Sequence, residues 1–149
     1  MKKQLIIPLF LLIMINSYGQ NNTTYEETIQ WIKGIVEQYG DTPDDKVKYL
    51  VYDNCTITLL REVNVYNVIQ KVSLKDIGAV YINASGGVTI ECIYGQKLVY
   101  RKFGDTPEDY NSKIGFPIEK NSENIQERLI KALNYARKLC GAKDTTNKF

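Results

Sequence analysis

The chain predicts an α+β fold: an N-terminal helix, a six-stranded antiparallel meander and a C-terminal amphipathic helix packed on the sheet. Two observations carry this. Apolar residues recur at spacings of three and four near both ends of the folded region, and at a spacing of two between them. Glycine- and asparagine-containing turns cut the middle into short runs, as a meander on short loops requires.

The first twenty residues stand apart. Lys2 and Lys3 precede an apolar run, Leu5–Ile15, followed by a polar stretch with the small residues Ser17 and Gly19. This is the layout of a secretory signal peptide; the run is too short to span a bilayer, and Pro8 interrupts it. No cysteine follows it to carry a lipid anchor, and the ending SYGQ is similar to signal-peptide ends of secreted Bacteroidetes proteins, which places cleavage near Gln20. The expected division is residues 1–20 as signal, 21–141 as one domain and 142–149 as a polar tail. The expected location is the periplasm or the exterior, with no membrane span after cleavage. Removing Lys2 and Lys3 from nineteen basic residues leaves seventeen against seventeen acidic ones. A neutral chain lacks the cationic balance of a nucleic-acid binder.

Thr24 and Glu27 form a capping box that opens the first helix, about Tyr25 to Tyr39. Ile29, Ile32, Ile35, Val36 and Tyr39 make its stripe, Trp31 lies at the stripe's edge, and Gly40 is expected to end it as a left-handed cap. From Lys46 the period is two: Val47, Tyr49 and Val51 share one face, Lys48, Leu50 and Tyr52 the other. Asp53-Asn54 turns the chain into a strand with Cys55, Ile57 and Leu59 on one side. Tyr66–Leu74 and Ala79–Asn83 read as the third and fourth strands. Val88, Ile90, Cys92 and Tyr94 share a face of the fifth, and Leu98–Phe103 is the sixth. Gly104–Lys120 reads as irregular. Ser122 then caps a helix with the stripe Ile125, Leu129, Ala132, Leu133, Ala136 and Leu139; Arg137 and Lys138 suit its dipole, and Gly141 stops it.

The hexapeptide GDTPDD at Gly40–Asp45 returns as GDTPED at Gly104–Asp109. Their surroundings do not align, so this is one turn chemistry used twice rather than a duplication. Each copy offers three carboxylates, without the alternating spacing of a calcium loop.

Histidine is absent, which removes imidazole triads, bases and zinc sites. Cys55, Cys92 and Cys140 contain no C-x-x-C pair. They read as small buried hydrophobes, with a Cys55–Cys92 bridge as the pairing considered. Glu62, Asp76 and Glu91 form no convincing acid pair for glycoside chemistry. No catalytic residue, metal ligand or cofactor is assigned, and an enzyme is not expected. Tyrosine is the enriched type, eleven in all. Tyr49, Tyr94 and Tyr100 fit the apolar faces of strands, while Tyr52 and Tyr66 are the candidates to line a binding surface.

The meander containing SLKDIGAVYI at Ser73–Ile82, followed by NIQERLIKALNYARKLCG at Asn124–Gly141, resembles small uncharacterised secreted proteins of Bacteroidetes. It also resembles a pleckstrin-homology-like bent sheet or barrel plugged by a C-terminal helix. That resemblance implies a barrel of seven strands, whereas six are read here behind an extra helix. The basic cluster that binds phosphoinositides in that superfold has no counterpart in the first hairpin, where Lys48 and Arg61 stand alone. The expected function is a non-catalytic exported module that binds a protein or peptide, for instance by strand addition at an exposed edge. The alternatives are a carrier of a small apolar ligand between sheet and C-terminal helix, and a carboxylate-based hydrolase.

Overall fold

The computed structural model describes residues 24–118 and 124–143. The expected signal peptide, the Ser122 cap and the end of the polar tail lie outside them. The α+β class stands: helix α1 (Tyr25–Tyr39) precedes the strands and helix α2 (Ile125–Leu139) follows them. The capping box is present, with Glu27 N–H donating to Thr24 Oγ1 at 3.2 Å and Thr24 N–H to Glu27 Oε2 at 2.8 Å.

Among the described residues nine strands, not six, lie between the helices: β1 (Asp41–Thr42), β2 (Asp45–Asp53), β3 (Thr56–Val63), β4 (Tyr66–Ser73), β5 (Ile77–Ile82), β6 (Val88–Cys92), β7 (Val99–Phe103), β8 (Asp109–Asn111) and β9 (Lys113–Phe116). They form two antiparallel sheets, a large one ordered β1-β2-β3-β4-β7-β8 and a small one ordered β5-β6-β9. Two of the extra strands, β8 and β9, come from the stretch read as irregular. Ser112 alone separates them, and there the chain steps from one sheet to the other, with Ser112 C=O accepting from Cys92 N–H at 2.9 Å. Such short pieces carry too few alternating residues to show a period.

The β2–β3 and β3–β4 hairpins of the large sheet turn on left-handed residues. Asn54 (φ 43°) and Cys55 (φ 64°) are the central pair of a two-residue turn closed by Asp53 and Thr56, the geometry of a type I′ turn. Asn64 (φ 55°) opens the next. The alternation along β2 is corrected by a bulge between Val47 and Tyr49. One extra residue reverses the faces beyond it: Val47 and Leu50 point inward, and Tyr49 and Val51 outward.

Two further expectations are corrected. Gly40 does not take a left-handed cap, its φ being −85°. A Cβ there would stand 2.2 Å from Val36 O and 2.6 Å from Val47 Cγ2, so glycine serves the close approach of helix and strand. Tyr94 does not continue the inward row of β6. It takes φ 54° in a 3-10 turn, Ile93–Gly95, and is 75% exposed.

The core fills the space between sheets and helices. Ile32 and Val36 of α1, Leu129, Leu133 and Ala136 of α2, and Leu59, Ile90 and Ile114 of the strands are all fully buried. Each of these valine, leucine and isoleucine side chains contributes on the order of 2 kcal/mol by leaving water. α1 packs on β2 and on α2, and α2 in turn on β5. The helix pair thus bridges β2 of the large sheet and β5 of the small one. Glu37 of α1 accepts the N–H of Leu50 at 3.1 Å, satisfying a donor at the free side of β2. Arg137 and Lys138 lie in the last turn of α2 as expected, and Arg137 has a second role. It is buried, with Nη1 donating to Ile77 O at 2.8 Å and Gly78 O at 3.3 Å.

The Cys55–Cys92 bridge is corrected: Cys55 pairs with Cys140, with Cα atoms 5.8 Å apart, and Cys92 is a free buried thiol. Cys92 faces inward with Val88 and Ile90, while the β2–β3 turn brings Cys55 to the end of α2. Burial pushes the Cys92 thiol above its ordinary value.

Non-reducing peptide mapping of the protein is expected to join Cys55 to Cys140, with Cys92 alkylated only after unfolding. Cys140→Ser is expected to lower unfolding stability by about 4 kcal/mol, because the loop closed is long. Glu37 sits below its ordinary value: burial acts against this, and hydrogen bonds from Lys33 and Leu50 N–H outweigh it. A lowered acid stabilises the fold above its unfolded value and loses that contribution as pH falls through its folded value. Glu37→Gln is therefore expected to cost ~1 kcal/mol at neutral pH, and to become neutral once the pH falls below the carboxyl's folded value, in denaturant titrations.

Candidate functional site: the open face of the large sheet

Register decides which side chains share the outer face of the large sheet. One row runs across the strands as Val51, Thr58, Lys71, Tyr100 and Tyr110; the next as Tyr49, Leu60, Ile69 and Lys102. The opposite parity, with Leu50, Ile57, Leu59 and Val72, faces the core. Tyr49, Val51 and Tyr110 are 42%, 48% and 58% exposed, and Leu60, Ile69 and Tyr100 are half-buried. The two helices pack on the other side. Together these residues make an apolar and aromatic surface, larger than scattered exposed side chains.

Its polar groups are organised around the rings. Tyr100 and Tyr110 meet edge to face at 6.0 Å, and Lys71 Nζ stands 5.5 Å from the Tyr100 ring centroid. A hydrogen bond to Glu108 pushes the Tyr100 phenol above its ordinary value. At the rim Lys48 and Glu62 pair at 2.7 Å, which holds the Glu62 carboxyl below its usual range. Among the described residues the two lysines beside Ile69 and Tyr100, Lys71 and Lys102, form no salt bridge, so the centre of the face is aromatic and cationic.

The residues singled out from sequence fall in different places. Tyr52 is half-buried against the core, edge to face with Tyr25 at 5.0 Å, its hydroxyl 3.6 Å from Cys140 Sγ. Burial pushes its phenol above the ordinary value. It therefore supports the disulfide and does not lie on the open face. Tyr66 is 52% exposed and stacks on Phe103 at 5.2 Å, on the parity of Val68 and Gln70, so it too is off that face. Trp31 packs against the core with Arg128 over its ring at 5.1 Å.

The carboxylates weighed for hydrolysis are dispersed. Glu62 lies on the large sheet and Asp76 in the turn Leu74–Asp76. Glu91 lies on the small sheet, 3.4 Å from Lys113 Nζ and 3.2 Å from the Tyr81 hydroxyl. In the two GDTP segments, Asp45 is paired with Arg61 at 2.8 Å and Asp109 with Arg101. The NASGG turn is organised by Asn83, whose Oδ1 accepts from Ser85 N–H at 3.0 Å and Gly87 N–H at 3.1 Å. Sequence reasoning missed the open face because the β2 bulge moves Tyr49 and Val51 outward and β8 was not legible. Its trace was present in the tyrosine count.

Compared with protein-family models, curated proteins and solved structures, the chain finds no match in any of the three.

If this face is free of structural duty, the triple variant Tyr49→Ser, Val51→Ser, Tyr110→Ser is expected to keep its fold. Each change should move unfolding stability by less than about 1 kcal/mol. Binding of an apolar fluorescent dye should fall several-fold. A loss of cooperative unfolding would show instead that the face is part of the core.

Proposed function

We propose that the protein is a non-catalytic exported binding module that engages a protein through the outer face of its large sheet. The observation that carries this reading is the continuous apolar and aromatic surface at Tyr49, Val51, Leu60, Ile69, Tyr100 and Tyr110, exposed on a side where neither helix packs. Tyrosine suits such a surface because it supplies contact area at low cost in rotamer entropy. Lys71 and Lys102 add positive charge beside the rings, which favours a partner with acidic groups around an apolar patch. The Cys55–Cys140 bridge agrees with an oxidising compartment, and so does the expected signal peptide.

The test is site-specific photo-crosslinking in a bacterial envelope expressing the full chain. A photoreactive residue at Tyr110 is expected to give a discrete protein adduct, weakened several-fold by Lys71→Glu with Lys102→Glu. The same residue at Tyr94, exposed but away from the sheet face, should give none. Equal adducts from both positions, or none from Tyr110, would remove the reading.

A further inference from the structure

A second site lies at the other side of the large sheet. A cleft of about 370 Å³ opens between the start of β2, the free side of β9 and the Asn83–Gly87 turn. Its lining includes Thr42, Asp45, Arg61, Ser85, Gly115 and Pro117. The volume falls in the range of small-molecule sites.

Arg61 organises it. Its Nη1 donates to Asp45 Oδ2 at 2.8 Å and to Gly115 O at 3.1 Å, joining the large sheet to the small one. Among the described residues, Asp45 Oδ1 and Arg61 Nε are buried without a partner, and Arg61 Nη2 makes no hydrogen bond and is not among the buried atoms. Burial pushes the Asp45 carboxyl up, with Arg61 opposing it, and pushes the Arg61 guanidinium down, with Asp45 opposing. Such a pair is neutral as a unit, and among the described residues no other charged side chain lines the cleft.

The backbone of β9 adds to the pattern. Cys92 N–H bonds Ser112 C=O, and an antiparallel ladder alternates, so the N–H and C=O of Gly115 point to the free side of the strand. The C=O is taken by Arg61, and Pro117, two residues on, has no N–H, so this edge is closed to strand addition. What remains is a set of interleaved donors and acceptors. Gly115 N–H and Arg61 Nη2 donate; the carboxylate of Asp45 and the hydroxyls of Thr42 and Ser85 accept. A Cβ on Gly115 would meet nothing within 4 Å, so the space in front of it is open.

We infer that this cleft binds a small, neutral, polyhydroxylated molecule of the monosaccharide class, its hydroxyls bridging Asp45 and Arg61. A hydroxyl both donates and accepts, so neighbouring hydroxyls match a carboxylate beside a guanidinium, whereas a charged ligand would unbalance the pair. This inference is independent of the protein-binding face.

The experiment uses protein purified from an envelope expressing the full chain, labelled for amide NMR. The probes are glucose, galactose and N-acetylglucosamine, with glutamate and lysine as charged probes. At least one neutral sugar is expected to move the amides of Ser85, Gly87 and Gly115, saturating with a dissociation constant of about 1–10 mM. Gly115→Val, whose Cβ would meet no atom within 4 Å, should weaken that response at least tenfold while leaving the melting temperature unchanged. The proposal fails if no neutral sugar moves these amides by about 50 mM. It also fails if Gly115→Val responds like the parent, or if glutamate or lysine proves the tighter probe.

Discussion

The structure depends on α2 being held along the small sheet. Two antiparallel sheets that meet at Ser112 leave a gap on their far side, and the paired helices fill it. α2 is fixed at three heights. Gln126 Nε2 donates to Gly86 O at 2.8 Å near its start, Arg137 reaches the carbonyls of Ile77 and Gly78 in its last turn, and Cys140 is bonded to Cys55 beyond its end. Between these ties Leu129, Leu133 and Ala136 bury completely. Were the helix to swing away, the inner sides of β5 and β6 beneath it, with Ile77 and Ile90, would lose their cover.

That arrangement separates structural chemistry from accessible chemistry. Tyr25, Tyr52 and the disulfide gather where α1, the β2–β3 turn and α2 meet, so sulfur and aromatic groups serve cohesion there. The outer face of the large sheet keeps its tyrosines free because both helices are committed to the inner side. An antiparallel sheet tolerates such one-sided exposure. The Asp45–Arg61 pair occupies the seam between the sheets, where a charged pair is costly unless well bonded. Among the described residues, two of the three buried side-chain atoms without a partner, Asp45 Oδ1 and Arg61 Nε, lie at that seam; the third is Gln70 Oε1 of β4.

Much of the fold was legible locally. The capping box at Thr24 and Glu27, the stripe Ile29, Ile32 and Val36, and the stripe Leu129, Leu133 and Ala136 state both helices outright, since a helix is decided by contacts within four residues. The glycine of the first GDTP segment was visible as a boundary, though its role, close approach to Val47, depends on a strand elsewhere in the chain. The candidate site was barely legible. Tyr52 and Tyr66 look alike in sequence, and Tyr49 looked buried, because a single bulge residue decides face and leaves no compositional mark.

By itself the sequence determined the α+β class, the positions of both helices, most of the strand runs and the absence of imidazole chemistry, all matters of local period or residue inventory. Tertiary structure alone decided that the strands divide into two sheets, that Cys140 rather than Cys92 pairs with Cys55, and that Arg137 is buried. It also decided which tyrosines meet solvent. The reason is physical: partners 59 to 115 residues apart, such as Arg137 with Gly78 or Cys140 with Tyr25, are brought together by packing of the whole domain. No local pattern encodes that.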